Sequence, residues 1–230
     1  MQKRSAAGVA ARAVLVLSAL VVGGGAREVA TGASSFPNPI KDVPAASAGT
    51  QDTAVFAGGC FWGVEAVFER LNGVSEAVSG FAGGSRATAH YEVVSMGTTG
   101  HAESVQIKYD PSQITFGQLL KVFFSVAHDP TELNRQGPDE GTQYRSSIFY
   151  VNEAQQQVAL AYIEQLGAAK VFRRKIVTTV VPQNGFYPAE PYHQHFLDRN
   201  PRHPYIVAND LPKLRRLQQE HPELMKHAPK

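Results

Sequence analysis

Strand-like and helix-like signals alternate along residues 52–210. This alternation restricts the chain to folds in which helices cover a sheet. Residues 53–57 are short, apolar and β-prone, and end at Gly58 and Gly59. Residues 60–71 then put Phe61, Val64, Phe68 and Leu71 on one helical face, and Asn72-Gly73 is a stop. Residues 74–81 read as a second strand leading into the loop Ala82-Gly83-Gly84. Residues 103–109 alternate through Val105, Ile107 and Tyr109, the pattern of a half-buried strand. Thr115 is placed to cap a helix over 116–127, with Phe116, Leu119, Leu120, Phe123 and Val126 as its stripe. Residues 128–145 are polar and rich in turn formers, a long loop of the kind that usually serves function. A strand over 147–151, a helix over 152–166, a strand over 175–181 and a last helix over 188–199 complete the pattern. Strands on either side of residues 82–100 fit a split β-α-β arrangement in an α/β or α+β domain.

The two ends differ from this core. Residues 1–26 carry Lys3, Arg4 and Arg12 and no acid, then an apolar run over 13–22, then Gly23, Gly24, Gly25 and Ala26. That order is the layout of a secretory signal, and the apolar run is short for a membrane span. The expectation is an exported, periplasmic or otherwise extracytoplasmic protein, with an uncleaved amino-terminal anchor as the alternative. Without the leader, 19 basic residues face 20 acidic ones, so the slight positive charge is a property of the leader and nucleic acid is not an expected partner. Residues 27–51 are rich in Ala, Ser, Gly, Pro and Thr and read as a flexible linker. Residues 211–230 read as a charged surface helix and a frayed tail. No apolar stripe calls for a dimer, so a monomer is expected.

Cys60 is the only cysteine, which excludes an internal disulfide, a CxxC pair and any cysteine-ligated cluster. It falls where a strand gives way to a helix. Unpaired N–H groups there favour an anion, so a lowered thiol pKa and a usable nucleophile are expected; an inert buried cysteine is the alternative. Phe61 and Trp62 after it can wall an apolar pocket. Glu103 opens a strand next to His101; such a carboxylate is commonly solvated or salt-bridged, but burial near aromatics would raise its pKa and let it donate a proton. His101-Ala102-Glu103 is half of a zinc deaminase signature whose cysteine partner is absent. His193 and His195 are two apart, and surface or core roles are more common for such a pair than metal ligation.

Four ordered blocks in this sequence resemble the peptide methionine sulfoxide reductase A family, over about residues 52–205. They are Gly59-Cys60-Phe61-Trp62-Gly63; the block from Ser79 through Tyr91 to Glu103; the loop from His128 to Ser146; and Tyr192-His193-Gln194. The resemblance implies a two-layer sandwich whose mixed sheet has a split β-α-β, ferredoxin-like core. It implies thiol-dependent reduction of the S-epimer of methionine sulfoxide, free or in proteins, through a Cys60 sulfenic acid, with no metal or organic cofactor. In that scheme Cys60 is the nucleophile, Glu103 donates the proton, and Tyr91 and Tyr144 hydrogen-bond the oxygen. Phe61 and Trp62 hold the S-methyl group with Tyr192 beside them, and Asp139 contacts the substrate backbone. Many members carry carboxyl-terminal resolving cysteines, and often a cysteine where this chain has Ser95. This chain has neither, so an external reductant is implied, a thioredoxin-like protein or a small thiol. A cysteine hydrolase using Cys60 and His193, and a module that binds oxidised methionine without reducing it, are the competing readings.

Overall fold

A computed structural model describes residues 36–44, 47 and 49–226. The leader over 1–26 lies outside the described residues. The elements are β1 (Asp52–Gly58), α1 (Phe61–Glu69), β2 (Val74–Ala82), α2 (Tyr91–Val94), β3 (Ala102–Tyr109), α3 (Phe116–Val122), β4 (Arg135–Gln136), β5 (Asp139–Glu140), β6 (Ser146–Tyr150), α4 (Glu153–Ala168), β7 (Thr179–Pro182), β8 (Phe186–Pro188), α5 (Phe196–Arg199) and α6 (Leu211–Glu220). One six-stranded sheet runs in the order β7-β6-β1-β3-β2-β8, and β4 pairs with β5 as a separate ribbon.

β3 lies between β1 and β2 and is antiparallel to both. β1 and β2 are therefore parallel, joined through α1 with a strand inserted between them: the split β-α-β unit. With β6 on the far side of β1, the inner order β6-β1-β3-β2 is the ferredoxin-like one, and the expected α+β sandwich with a mixed sheet is what the chain forms. β7 extends it in parallel beyond β6, and β8 extends it beyond β2.

The alternation in β1 explains the layering. Ala54 and Phe56 face one main core with Val64, Val67 and Phe68 of α1, Leu119 and Leu120 of α3, and Val158 and Tyr162 of α4. Val55 and Ala57 point to the opposite face, where they meet Ala82, Ala102 and Phe149. Phe56 is the hub of the first face, with ring contacts to Phe68, Phe116 and Phe123 at 4.9–5.9 Å. α3 starts at a complete capping box: Thr115 Oγ1 accepts from the Gln118 N–H while the Gln118 side chain accepts from the Thr115 N–H. It continues beyond Val122 as a π turn over Phe123–Ala127.

Four local expectations differ from the structure. The strand placed at 175–181 begins only at Thr179, where backbone pairing with Ser147 starts. Within 188–199 the helix is confined to Phe196–Arg199: Pro188 is drawn into the sheet beside β2, and His195 takes the left-handed conformation at φ +51° just before Phe196. Residues 36–44 of the linker stretch are hydrogen-bonded along the domain: Asp42 accepts from Thr115 Oγ1 and the Gly117 N–H, and the Pro37 carbonyl accepts from Tyr162. The tail after α6 is tied down as far as Lys226, by a Leu71–Met225 bridge and by Asn72 N–H donating to the Leu224 carbonyl.

Replacing Phe56 by alanine removes the ring that four elements share. The expected loss is about 3–5 kcal/mol of unfolding free energy, seen as a lower urea midpoint with an unchanged slope.

Candidate active site

α1 is the element that places Cys60. Gly58 ends β1, and a Cβ on it would fall 3.0 Å from the Phe123 ring. Gly59 has φ +88°, and a Cβ there would collide with the Gln136 side chain. The two glycines thus let the strand turn sharply against the loop and present Cys60 at the N-cap of α1. Cys60 does not cap with its own side chain. The cap is supplied from β3: Glu103 Oε2 accepts from the Phe61 N–H at 3.0 Å. Glu103 is two residues beyond the Phe56–Val105 pair in the register, which carries it to the mouth of α1.

Cys60 is 8% exposed and Glu103 2%. Burial, helped by Asp139, pushes the Glu103 carboxyl up to about 8, even though the Phe61 N–H pulls it the other way. It is therefore mainly protonated at neutral pH. The thiol behaves differently from the sequence expectation. Burial pushes Cys60 well above the ordinary thiol value, and Glu103 and Asp210 add to this; the Trp62 backbone N–H and Lys213 oppose it. The helix terminus does favour the thiolate, but desolvation outweighs it.

An aromatic wall surrounds the pair. Phe61 contacts Phe81, Tyr91 and His193 at 5.0–6.5 Å between ring centres. Trp62 stacks on Phe196 at 3.7 Å, meets Tyr205 edge-on at 5.8 Å, and donates its indole N–H to His193 Nδ1 at 3.1 Å. Tyr91 and Tyr144 both sit within electrostatic reach of Glu103 and Cys60, and burial holds both phenols in the neutral form. Asp139, on β5, accepts a hydrogen bond from the Tyr205 hydroxyl. Tyr192 is placed otherwise: it is 55% exposed, its ring lies 4.1 Å from His193, and the charges acting on it are Glu190 and Glu92. It stands at the rim of this wall, while Tyr205, which the motif blocks do not reach, stands inside it.

His101, His128 and His195 have structural partners. His101 accepts from the Gly84 N–H and contacts the Ser85 carbonyl at 2.9 Å, tying down the loop after β2. His128 contacts the Phe123 carbonyl and Ser146 Oγ, and burial lowers it to about 4. Glu65, Glu69 and His195 bring three potential ligand atoms within 4.8 Å of one another. They satisfy each other: Glu65 accepts from Ser79 Oγ and the His195 N–H, and Glu69 pairs with the His195 ring. In the long loop, Arg145 donates to the carbonyls of Gly100, His101 and Thr142, and Gln136 bonds both backbone groups of Asp129. The loop is thus tied both to itself and to the segment before β3, while Asp139 and Tyr144 act on Glu103.

A nucleophilic sulfur, a carboxylic acid holding its proton, neutral phenols and an apolar wall make a place where a polar S=O or C=O group can receive a proton while its apolar part is held. Comparison with known proteins narrows this. Residues 52–225 match the family profile described as peptide methionine sulfoxide reductase. A peptide methionine sulfoxide reductase (MsrA 2) of Mesorhizobium japonicum is 60% identical over 178 residues, covering 77% of this chain and 91% of its own. A Synechocystis relative (MsrA 2) is 52% identical over 193 residues, covering 83% of this chain and 90% of its own. The structure of methionine sulfoxide reductase A of Corynebacterium diphtheriae superposes with a TM-score of 0.58 at 37% identity, covering 72% of this chain and 86% of the other. The reduced form of Mxr1 from Saccharomyces cerevisiae gives 0.60 at 36%, covering 66% and 87%.

The raised Glu103 carboxyl has a cost for stability. The folded chain keeps a proton there up to about 8, whereas the unfolded chain releases it near 4.5. Glu103 therefore weakens the fold increasingly as pH rises from about 4.5 through about 8. Glu103→Gln keeps the acceptor for the Phe61 N–H without the charge. Above pH 9 it is expected to be the more stable chain by about 5 kcal/mol, with the gap closing below pH 4.5; unfolding followed by circular dichroism across that range checks the sign.

Proposed function

The chain belongs to the peptide methionine sulfoxide reductase family, oxidoreductases that return methionine sulfoxide to methionine at the expense of thiols, and on that premise we propose how its residues divide the work. The observation that carries the reading is the buried Glu103 carboxyl bonded to the Phe61 N–H at the mouth of α1, beside the one cysteine, where burial favours its protonated form. The Cys60 thiolate attacks the sulfoxide sulfur. As the sulfur–sulfur bond forms, negative charge gathers on oxygen; Glu103 supplies its proton, and the neutral Tyr91 and Tyr144 hydroxyls hydrogen-bond that oxygen. The resulting hydroxyl shifts to the Cys60 sulfur as the S–O bond and the new sulfur–sulfur bond both break, which leaves a sulfenic acid on Cys60, a carboxylate on Glu103 and the free thioether. Phe61 and Trp62 receive the S-methyl group, Asp139 faces the substrate backbone, and Tyr192 guides substrate at the rim. The S-epimer is the form that presents its oxygen to Glu103 while its methyl meets this wall.

No second cysteine is available in the 230 residues to condense with the sulfenic acid. An external thiol therefore attacks it, and a second thiol equivalent releases Cys60, giving a disulfide and water. A thioredoxin-like protein or a small thiol fits that role. The secretory layout of residues 1–26 supports work in an extracytoplasmic compartment, with the catalytic domain over 52–210 carrying residues 36–44 along its side and the carboxyl-terminal helix after it. No helix among the described residues is long and apolar enough to cross a membrane.

A single turnover without added thiol tests the scheme. Residues 27–230 given methionine S-sulfoxide are expected to yield about one methionine per chain and to gain one oxygen of mass, with nothing from the R-epimer. Cys60→Ser yields none. Glu103→Gln slows the step by about 10²–10³ and is expected to abolish the levelling-off of the rate near pH 8, where the unaltered chain loses the Glu103 proton while its thiolate fraction still rises. Formation of methionine at an undiminished rate by Glu103→Gln would remove the proton donor from the scheme.

A further inference from the structure

A charged pair that the scheme above does not use approaches the first turn of α1 from the carboxyl-terminal segment. Asp210 is fully buried and accepts from the Lys213 ammonium through Oδ1 at 3.1 Å. Its Oδ2 is buried without a partner among the described residues. The pair lies against Gly63, three residues beyond Cys60 and so one turn along the same face of α1. A Cβ on Gly63 would collide with Asp210 Oδ1 and fall 2.8 Å from Lys213 Nζ, so the glycine is what admits the two charges. The Lys213 side chain is 16% exposed. A charged pair this dry is costly to bury and is weak as a stabilising device, which turns attention to what its charge acts on.

The ionisable groups acting on Cys60 come from several elements: Glu103 on β3, Tyr91 on α2, Tyr144 and Tyr205 on loops, Asp210 just before α6 and Lys213 on α6, with Asp139 on β5 behind Glu103 and Tyr205. The carboxyls oppose a negative sulfur and the phenols are neutral. Lys213 brings positive charge, and it favours the ionised form of Cys60, Asp139 and Asp210 alike. We propose that Lys213, held by Asp210 in the space left at Gly63, is a positioning residue that supplies the counter-charge for the Cys60 thiolate. It deepens the reading of Cys60 as the nucleophile and rests on it.

Because Cys60 is the sole cysteine, alkylation by iodoacetamide reports on it alone. Lys213→Met is expected to move the midpoint of the alkylation rate against pH upward by about one unit, making the reaction about tenfold slower at pH values a unit or more below the original midpoint. Lys213→Gln carries the same expectation should the methionine variant fail to fold. Lys213→Arg restores the profile. Arg216→Met, which removes a cation of the same helix whose partner is Glu220, leaves it in place. A profile that stays put in a folded neutral variant, or that moves equally in Lys213→Arg, overturns the proposal. The experiment uses neither sulfoxide nor reductant. Its failure is therefore separable from an absence of methionine formation, which would strike the reading of Cys60 instead.

Discussion

The hydrogen bond from the Phe61 N–H to Glu103 organises this domain's chemistry. A helix N-terminus asks for an acceptor, and most helices find one in their own N-cap side chain. Here that position is held by Cys60, which makes no such bond, and the acceptor arrives from β3. One interaction thereby satisfies the backbone, closes α1 onto the sheet and fixes a carboxyl beside the sulfur. It leaves Glu103 buried with a single amide on Oε2, too little to keep the carboxylate charged, so the group retains its proton.

That arrangement requires the sheet order. β1 delivers Cys60 and β3 delivers Glu103, and only because the two strands are direct neighbours does the register bring the residues together. The helix that follows β1 must then cross to β2 on the far side of β3, which is the split β-α-β connection. The same face is filled by Phe56 and its neighbours, so the core that stabilises the sheet also backs the catalytic turn. Fold and site are two uses of one strand pairing.

Much of this was legible in the residues. The stripe of α1, the alternation of β3 and the Thr115 cap follow from periodicity and turn chemistry, whereas the ferredoxin-like core came from the family resemblance. The helix expected over 188–199 is cut short because β2 takes Pro188 into the sheet and His195 turns left-handed before Phe196, neither of which a local pattern announces. The thiol expectation failed for a related reason: the helix terminus is visible in sequence, whereas the dry surroundings that outweigh it are assembled from β3, α2 and the carboxyl-terminal segment. Tyr205, Asp210 and Lys213 escaped notice because each looks like an ordinary residue at the border of a surface helix. Their significance lies in Gly63, whose missing side chain is a complementary signal on a different element.

The chain contains one tryptophan, and the fold spends it in the aromatic wall. Trp62 is sandwiched against Phe196, touched edge-on by Tyr205 and hydrogen-bonded to His193, two residues' distance from the sulfur along the helix. The molecule therefore carries a native fluorophore in its own reaction chamber. Ligand entry, oxygen transfer to the neighbouring sulfur and docking of a reductant each alter the polarity or quenching around that indole, so the enzyme's cycle can be followed optically without attaching a dye.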